Sequence, residues 1–300
     1  MTLATGLPRV LDAMQRHDID VLLLGREPNA RFVTGAARLY LASERAFAPG
    51  CVVVRATESV HLLSVGDVGI PRDLPSEHLY SISWNPATLM GEIAAIPGVA
   101  GARRVGVDGL TPLFEQLIDG YLGAPELVDG ERILRATRRV KTDAEVDAIR
   151  AAVAVAHPVM AAALAAARAN ASDATIVAIA METMAHEHVT TAAFEPVVTR
   201  AGDVTAIDIG VLREGWEGGL ARTEPSMPAP SEHTQAIARC ISGTAVDAIA
   251  PDGRVHGVGL GYEVLEPGTH LEANMVVSVA HGFVRDLVLV TGHRPAVLTD

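Results

Sequence analysis

Hydrophobic and polar positions in the first 135 residues switch between the period of a strand and that of a helix. Short apolar runs bounded by glycine or polar residues predict strands, and amphipathic stretches between them predict helices. The predicted strands are residues 21–24, 50–55, 60–64 and 104–108, and the predicted helices are residues 8–16, 86–96 and 112–121. Strands alternating with helices in this way predict a small α/β domain with a mixed sheet.

The second half begins with a long predicted helix. Thr142 and Glu145 have the spacing of a capping box, in which the hydroxyl accepts from the third amide and the glutamate reaches back. The helix should run through an alanine-rich tract and kink or break near Pro158, because proline removes a backbone donor. Ser172 is expected to cap a second helix, and residues 231–250 are expected to form a third.

Strands dominate the last hundred residues. Apolar and alternating runs predict a hairpin and then further strands of a curved sheet, over residues 204–209, 215–223, 254–260, 276–281 and 287–291.

An arginine-rich segment, residues 131–140, lies between the two halves. Acidic residues flank it, so a solvated linker is preferred to a nucleic-acid-binding helix. The sequence therefore predicts two domains, residues 1–135 and 136–300.

The charge balance narrows the choice of partners. A formal net charge of −12 and a pI near 5.3 argue against nucleic acid or an anionic membrane as partner. Cys51 and Cys240 lie far apart in sequence and are expected to be buried thiols. The N-terminus has no signal-peptide pattern, and the tract 151–167 is mainly alanine, which is weakly hydrophobic for a membrane span. We therefore expect a cytoplasmic protein.

Three motifs occur in the order typical of one superfamily. Thr205–Gly210, Gly215–Thr223 and His256–Leu260 resemble the metal-site motifs of the methionine aminopeptidase, prolidase and creatinase superfamily, which has the pita-bread fold. Residues 19–35 resemble the opening strand and turn of the prolidase and creatinase N-terminal domain. The segment beginning at Lys141 resembles the start of their second domain.

This resemblance implies an α/β (α+β) fold. A creatinase/prolidase-like N-terminal domain would precede a shortened pita-bread domain with a curved antiparallel sheet. The shortening appears twice: only Asp203 and Val204 replace a family loop that carries a Pro-His pair, and residues 251–254 replace a family helix before His256. The resemblance also implies a homodimer whose N-terminal domain reaches the partner's site.

The metal ligands of the superfamily are incompletely retained. Its enzymes bind two divalent metals with Asp, Asp, His, Glu and Glu, and the matching positions here are Asp208, Gly219, His256, Ala280 and Arg285. We therefore expect neither a bound metal nor another cofactor. Arg285 should instead donate two hydrogen bonds to Asp208.

Neighbouring residues offer poor substitutes for the missing ligands. His281 and Asp286 adjoin two of the ligand positions, but strand alternation sends their side chains to the opposite face.

The candidate site residues follow from the same comparison. His256, Asp208, Arg285 and Tyr262 are the catalytic candidates. Glu217, Arg222 and Glu263 are the candidates for substrate binding, and no residue is assigned to a metal. Glu217 fits equally well in the pocket or on a solvated rim, and Arg222 also fits a structural role between strands. The glycines around His256 would let a ligand approach the backbone.

Three functions remain open at this stage. The first is a non-catalytic homologue of Xaa-Pro peptidases that binds a small molecule or peptide. The second is a metal-free hydrolase or lyase acting on a small C–N or acyl substrate. In that enzyme His256 would be the acid/base, Asp208 would orient it, and Arg285 would anchor a substrate carboxylate or oxyanion. A metal-dependent Xaa-Pro dipeptidase is the least expected.

Overall fold

The computed structural model describes residues 6–36, 49–64, 69–81, 83, 85–250 and 254–300. The chain divides into two compact units, Met1–Arg138 and Arg139–Asp300. Each unit has its own sheet.

The first unit is built on a mixed six-stranded sheet with the strand order β4-β3-β2-β1-β5-β6. Its strands are β1 (Val21–Leu24), β2 (Cys51–Val54), β3 (Ser59–Ser64), β4 (Leu79–Ser81), β5 (Arg104–Val107) and β6 (Glu126–Asp129). Its helices are α1 (Leu7–Arg16), α2 (Glu27–Thr34), α3 (Pro86–Ala94), α4 (Pro112–Leu122) and α5 (Gly130–Arg139). The central strand β1 pairs antiparallel with β2 and parallel with β5. All four of its residues are buried, as its unbroken apolar run requires.

Two helices of this unit differ from the sequence prediction. The turn expected before Gly35 is the end of α2, where Gly35 has the left-handed conformation of a helix C-cap. The prediction of a solvated linker over residues 131–140 is wrong. Helix α5 occupies almost all of this segment and begins immediately after β6. The Asp129 carboxylate accepts from the Arg132 amide at its start, and Arg138 is buried.

The second unit contains an antiparallel sheet with the order β11-β10-β12-β13-β9-β8-β7, and β14 pairs with β13. Its strands are β7 (Ala192–Ala201), β8 (Val204–Arg213), β9 (Trp216–Glu224), β10 (Val255–Gly259), β11 (Gly261–Glu263), β12 (Val276–His281), β13 (Val284–Leu289) and β14 (Ala296–Val297). Its helices are α6 (Asp143–Arg168), α7 (Asp173–His186) and α8 (Ser231–Ala238).

Helix α6 begins with the predicted capping box and continues through Pro158 without interruption. The break expected there is wrong. Ala152, Ala156 and Ala163 are fully buried in a core that includes residues of β8 and β9. This packing outweighs the one backbone bond that proline removes. By length and composition alone the helix could cross a membrane, but much of its surface is buried in this core.

The third predicted helix is shorter than expected. It ends at Ala238 instead of continuing to residue 250, and the following residues form turns, isolated bridges and a 3₁₀ helix at Val246–Ala248. Gly243 has a φ of 90°, which the helix could not accommodate. Residues 251–254 were predicted to replace a family helix, and residues 251–253 of this segment lie outside the described residues.

Strand β7 was not anticipated from the sequence. It pairs with β8 through a tight turn at Gly202 and Asp203, where Gly202 has a φ of 59°. The short connection noted between residues 202 and 204 is therefore the turn of this hairpin.

Candidate functional site

Four strands of the second unit bring the main candidate residues into one row. The register pairs Asp208 with Ala221, Ala221 with Arg285, and Arg285 with Ala280. Directly paired residues lie on the same face of a sheet, so these four side chains share one face, which we call the site face. His256 pairs with Ser278, two residues before Ala280, and belongs to the same face.

Arg285 and Asp208 form the central contact of the site face. Arg285 donates to Asp208 Oδ1 from Nε at 2.9 Å and from Nη2 at 2.6 Å, and Nη2 also donates to the Ile209 carbonyl at 2.7 Å. The Arg285 side chain is 6% exposed, whereas that of Asp208 is 36% exposed. The Phe194 ring lies 5.3 Å from the guanidinium carbon. The two predicted hydrogen bonds to Asp208 are present.

Gly219 provides the space that this arginine occupies. A Cβ atom at residue 219 would lie 2.8 Å from Arg285 Nη2 and 2.5 Å from the Ile209 carbonyl oxygen. Both distances are too short for a carbon atom. Arg285 could therefore not occupy its observed position if residue 219 were an aspartate.

Glu217 is buried on the same face of β9, two residues before Gly219. Burial raises the pKa of its carboxyl group, the Arg285 charge opposes that rise, and the charges of Asp208 and Glu263 add to it. The pKa of Glu217 therefore depends on the charges of Arg285 and Asp208. Because the residue is 3% exposed, it does not lie on a solvated rim.

His256 is neutral at physiological pH. Burial and the nearby Arg285 charge lower its pKa to about 4. Its ring stacks on Tyr262 with the ring centroids 4.4 Å apart and an angle of 28° between the planes. Tyr262 is 63% exposed, so it covers His256 from the solvent side.

Glu263 is bound inside the protein. Its Oε2 accepts from Lys141 Nζ at 2.6 Å, and the two side chains are 3% and 1% exposed. A Cβ atom at Gly259 would lie 2.4 Å from Glu263 Oε1, and one at Gly257 would lie 3.0 Å from Glu263 Cβ. The glycines near His256 therefore leave room for Glu263, not for an approaching ligand.

Arg222 also lies outside the site face. Its guanidinium donates to Asp286 Oδ1 at 2.7 Å and to the Thr299 and Arg285 carbonyls. Asp286 Oδ2 lies 2.7 Å from Nε2 of the buried His233. Of the two roles considered for Arg222, this geometry favours the structural one. Asp286 points away from Arg285, as strand alternation requires.

Some contributors could not be anticipated from the sequence. Phe194 lies on β7, which had not been predicted, so no pattern associated it with Arg285. Lys141 was noted only for its match to the start of the second domain. Its pairing with Glu263 joins residues 122 positions apart, and no local signal reveals it.

Comparison with known proteins identifies the fold. Residues 7–140 match the family model described as the creatinase/prolidase N-terminal domain. The matched residues cover nearly all of the first unit, which is therefore similar to that domain. No curated protein matches the chain in sequence.

The whole chain has the prolidase fold. It resembles the prolidase from Pyrococcus horikoshii with a TM-score of 0.72 and 17% identity, covering 98% of each chain. It also resembles the X-Pro aminopeptidase from Thermotoga maritima, with a TM-score of 0.73 and 14% identity over 98% of this chain and 97% of that one. Its similarity to a dipeptidase from Mycobacterium ulcerans has a TM-score of 0.70 and 20% identity, over 98% of this chain and 95% of that one. The predicted fold class, an α/β domain followed by a curved antiparallel sheet, is confirmed.

The two metals implied by this fold do not fit the described side chains. Among residues 6–36, 49–64, 69–81, 83, 85–250 and 254–300, no group of three or more His, Cys, Asp or Glu side chains could hold a metal ion. Asp208 is already bound to a guanidinium, and Gly219 and Ala280 contribute no ligand atoms. A dication at this point would also be repelled by Arg285.

Proposed function

We propose that this prolidase-like protein binds a small molecule or peptide without a catalytic metal. The observation that carries the proposal is the Arg285–Asp208 pair, in which a protein cation stands beside the one retained aspartate. Asp208 Oδ1 is occupied by Arg285, whereas the side chain as a whole remains 36% exposed. The site face therefore offers a partly open carboxylate and the exposed Tyr262 ring to a ligand, and the neutral His256 imidazole lies beneath that ring.

The charge balance supports this proposal over metal-dependent hydrolysis. Two-metal hydrolysis needs several carboxylates to offset two dications and to hold a bridging water. On the site face the Asp208 charge is offset by Arg285, and burial raises the pKa of Glu217. Too little negative charge remains for two divalent ions.

The first test separates this proposal from a metal-dependent Xaa-Pro dipeptidase. After dialysis against a weak chelator, elemental analysis should find well below one metal per chain. Added manganese or cobalt should not produce cleavage of Xaa-Pro dipeptides. Arg285→Glu should raise the affinity for manganese or zinc, because it replaces a cation with a ligand, and Arg285→Met is the matched control. About one metal per wild-type chain, or metal-stimulated cleavage that is lost in His256→Ala, would refute the proposal.

A ligand screen tests the binding function directly. Thermal shift with a metabolite and dipeptide library should yield compounds whose stabilising effect is lost in Tyr262→Leu. Turnover of each such compound should then be measured. A library without any such compound, at concentrations up to about 1 mM, would count against a small-molecule ligand and leave a protein partner as the alternative.

The state of His256 favours one second candidate, a metal-free hydrolase. Its lowered pKa makes the imidazole a proton acceptor throughout the neutral range. If His256 is the general base, its protonation state does not change between pH 6 and 8, so it should cause no change in the reaction rate over this range. The rate should fall as the pH drops through about 4, where the imidazole becomes protonated.

The pH–rate profile of any turnover found in the screen is the measurement. Because the pKa of Glu217 is raised, its titration can add a second inflection to the pH–rate profile. The Glu217→Gln variant should lack this inflection. Retention of full activity in His256→Gln would exclude this mechanism.

A further inference from the structure

We propose that Lys141 is a positioning residue of the site. Its ion pair with Glu263 holds the β10–β11 hairpin, residues 255–263, in the orientation in which Tyr262 stacks on His256. The inference rests on the proposed function in one respect, the role of His256 and Tyr262 in binding a ligand.

The Lys141–Glu263 pair has the geometry of a fixed connection. Lys141 is the only lysine of the chain. Its Nζ lies 2.6 Å from Glu263 Oε2 and donates to the Arg139 carbonyl at 2.9 Å. Both side chains are almost fully buried. A buried pair of this kind holds its two partners together, because separating them would leave two desolvated charges.

Lys141 is itself anchored to another part of the sheet. Its amide donates to the Asn274 carbonyl at 2.9 Å, and the preceding Val140 forms an antiparallel bridge with Met275. Asn274 and Met275 come immediately before β12. The ion pair therefore links the hairpin to the backbone that enters the adjacent strand.

Glu263 transmits this restraint to the hairpin. A Cβ atom at Gly259 would collide with its carboxylate, one at Gly257 would make a tight contact with its Cβ, and its register partner is Gly257. Tyr262 is the preceding residue, so its side chain leaves β11 on the opposite face. With Glu263 fixed on one face, Tyr262 is directed to the other, where it meets His256.

The position of the hairpin explains why it needs this restraint. Within the part of the chain that the structure describes, β11 is the outermost strand of this sheet and pairs with β10 alone. The two strands share three residue pairs. An edge hairpin this short is held weakly by its own ladder. The Lys141–Glu263 pair supplies a side-chain connection that the ladder does not.

Hydrogen exchange and NMR on the full chain test the proposal without any ligand. Glu263→Gln keeps the shape of the side chain, and Lys141→Met removes the charge from the other end. Both variants should accelerate amide exchange in residues 255–263 at least tenfold, while exchange in α6 and α7 stays unchanged. The His256 ring proton signals should move towards their positions in Tyr262→Leu, in which the stacking ring is missing. The double variant Lys141→Glu/Glu263→Lys should recover part of the hairpin protection.

Asp286→Asn is the matched control, because it destabilises the same unit without touching the hairpin. Two results would overturn the proposal. One is an unchanged hairpin exchange rate and His256 signal in both single variants. The other is faster exchange that is spread evenly over the unit, as in Asp286→Asn, which would reduce the pair to a general contribution to stability. Because neither readout uses a ligand, failure of the proposed binding function would leave this result unaffected.

Discussion

Asp286→Ala is expected to lower the free energy of unfolding by about 3–5 kcal/mol. Asp286 is 6% exposed and binds Arg222, His233 and the Thr299 hydroxyl. Its removal leaves the buried imidazole of His233 without its carboxylate partner and takes the carboxylate acceptor from the Arg222 guanidinium, which keeps its carbonyl acceptors. Urea unfolding at pH 7 is the measurement, and Asp203→Ala, in the exposed β7–β8 turn, is the control. A loss below about 1 kcal/mol would mean that the Asp286 contacts contribute no more than surface ion pairs do.

The same carboxylate makes stability depend on pH. Burial alone would raise the Asp286 pKa, but the hydrogen bonds from His233 and Thr299 and the Arg222 charge lower it from 3.8 to about 2. A lowered folded-state pKa stabilises the protein fully above the unfolded value, and this contribution disappears as the pH falls through the folded value. The shift corresponds to roughly 2–3 kcal/mol. The difference in stability between wild type and Asp286→Asn should therefore shrink between pH 5 and pH 2.

Arg285→Met should lower the free energy of unfolding by about 2–3 kcal/mol. The variant strands Asp208 and removes the donor to the Ile209 carbonyl. The expected loss lies below that of a fully buried pair, because water reaches the Asp208 side chain, which is 36% exposed.

A double-mutant cycle isolates this interaction. Asp208→Asn in the Arg285→Met background removes the stranded charge and should recover part of the loss. Arg213→Met, at an exposed position, is the control. If the two single losses simply add in the double variant, Arg285 and Asp208 are not energetically coupled, and the basis of the metal-free proposal fails.

Local patterns in the sequence were sufficient for most of the elements. The unbroken apolar run Val21–Leu24 predicted β1 because every residue of that strand is buried. The Thr142 and Glu145 spacing predicted the start of α6, since capping is a contact within one turn. β7 escaped prediction because just one of its ten residues is buried and the register of its ladder is irregular. Periodicity is weak in such a strand.

For the candidate site, the motifs predicted which residues would stand at the five ligand positions, and alternation along β13 separated Arg285 from Asp286. Both are properties of the linear sequence and of the two-residue period of a strand. The Arg285–Asp208 hydrogen bonds were expected from the sequence. Only the tertiary structure decided that Arg285 reaches Asp208 through the space left by Gly219, and that Glu263 is paired with Lys141. These contacts join residues 77 and 122 positions apart. Their geometry depends on strand register and on the volume of side chains from distant segments, which no local pattern encodes.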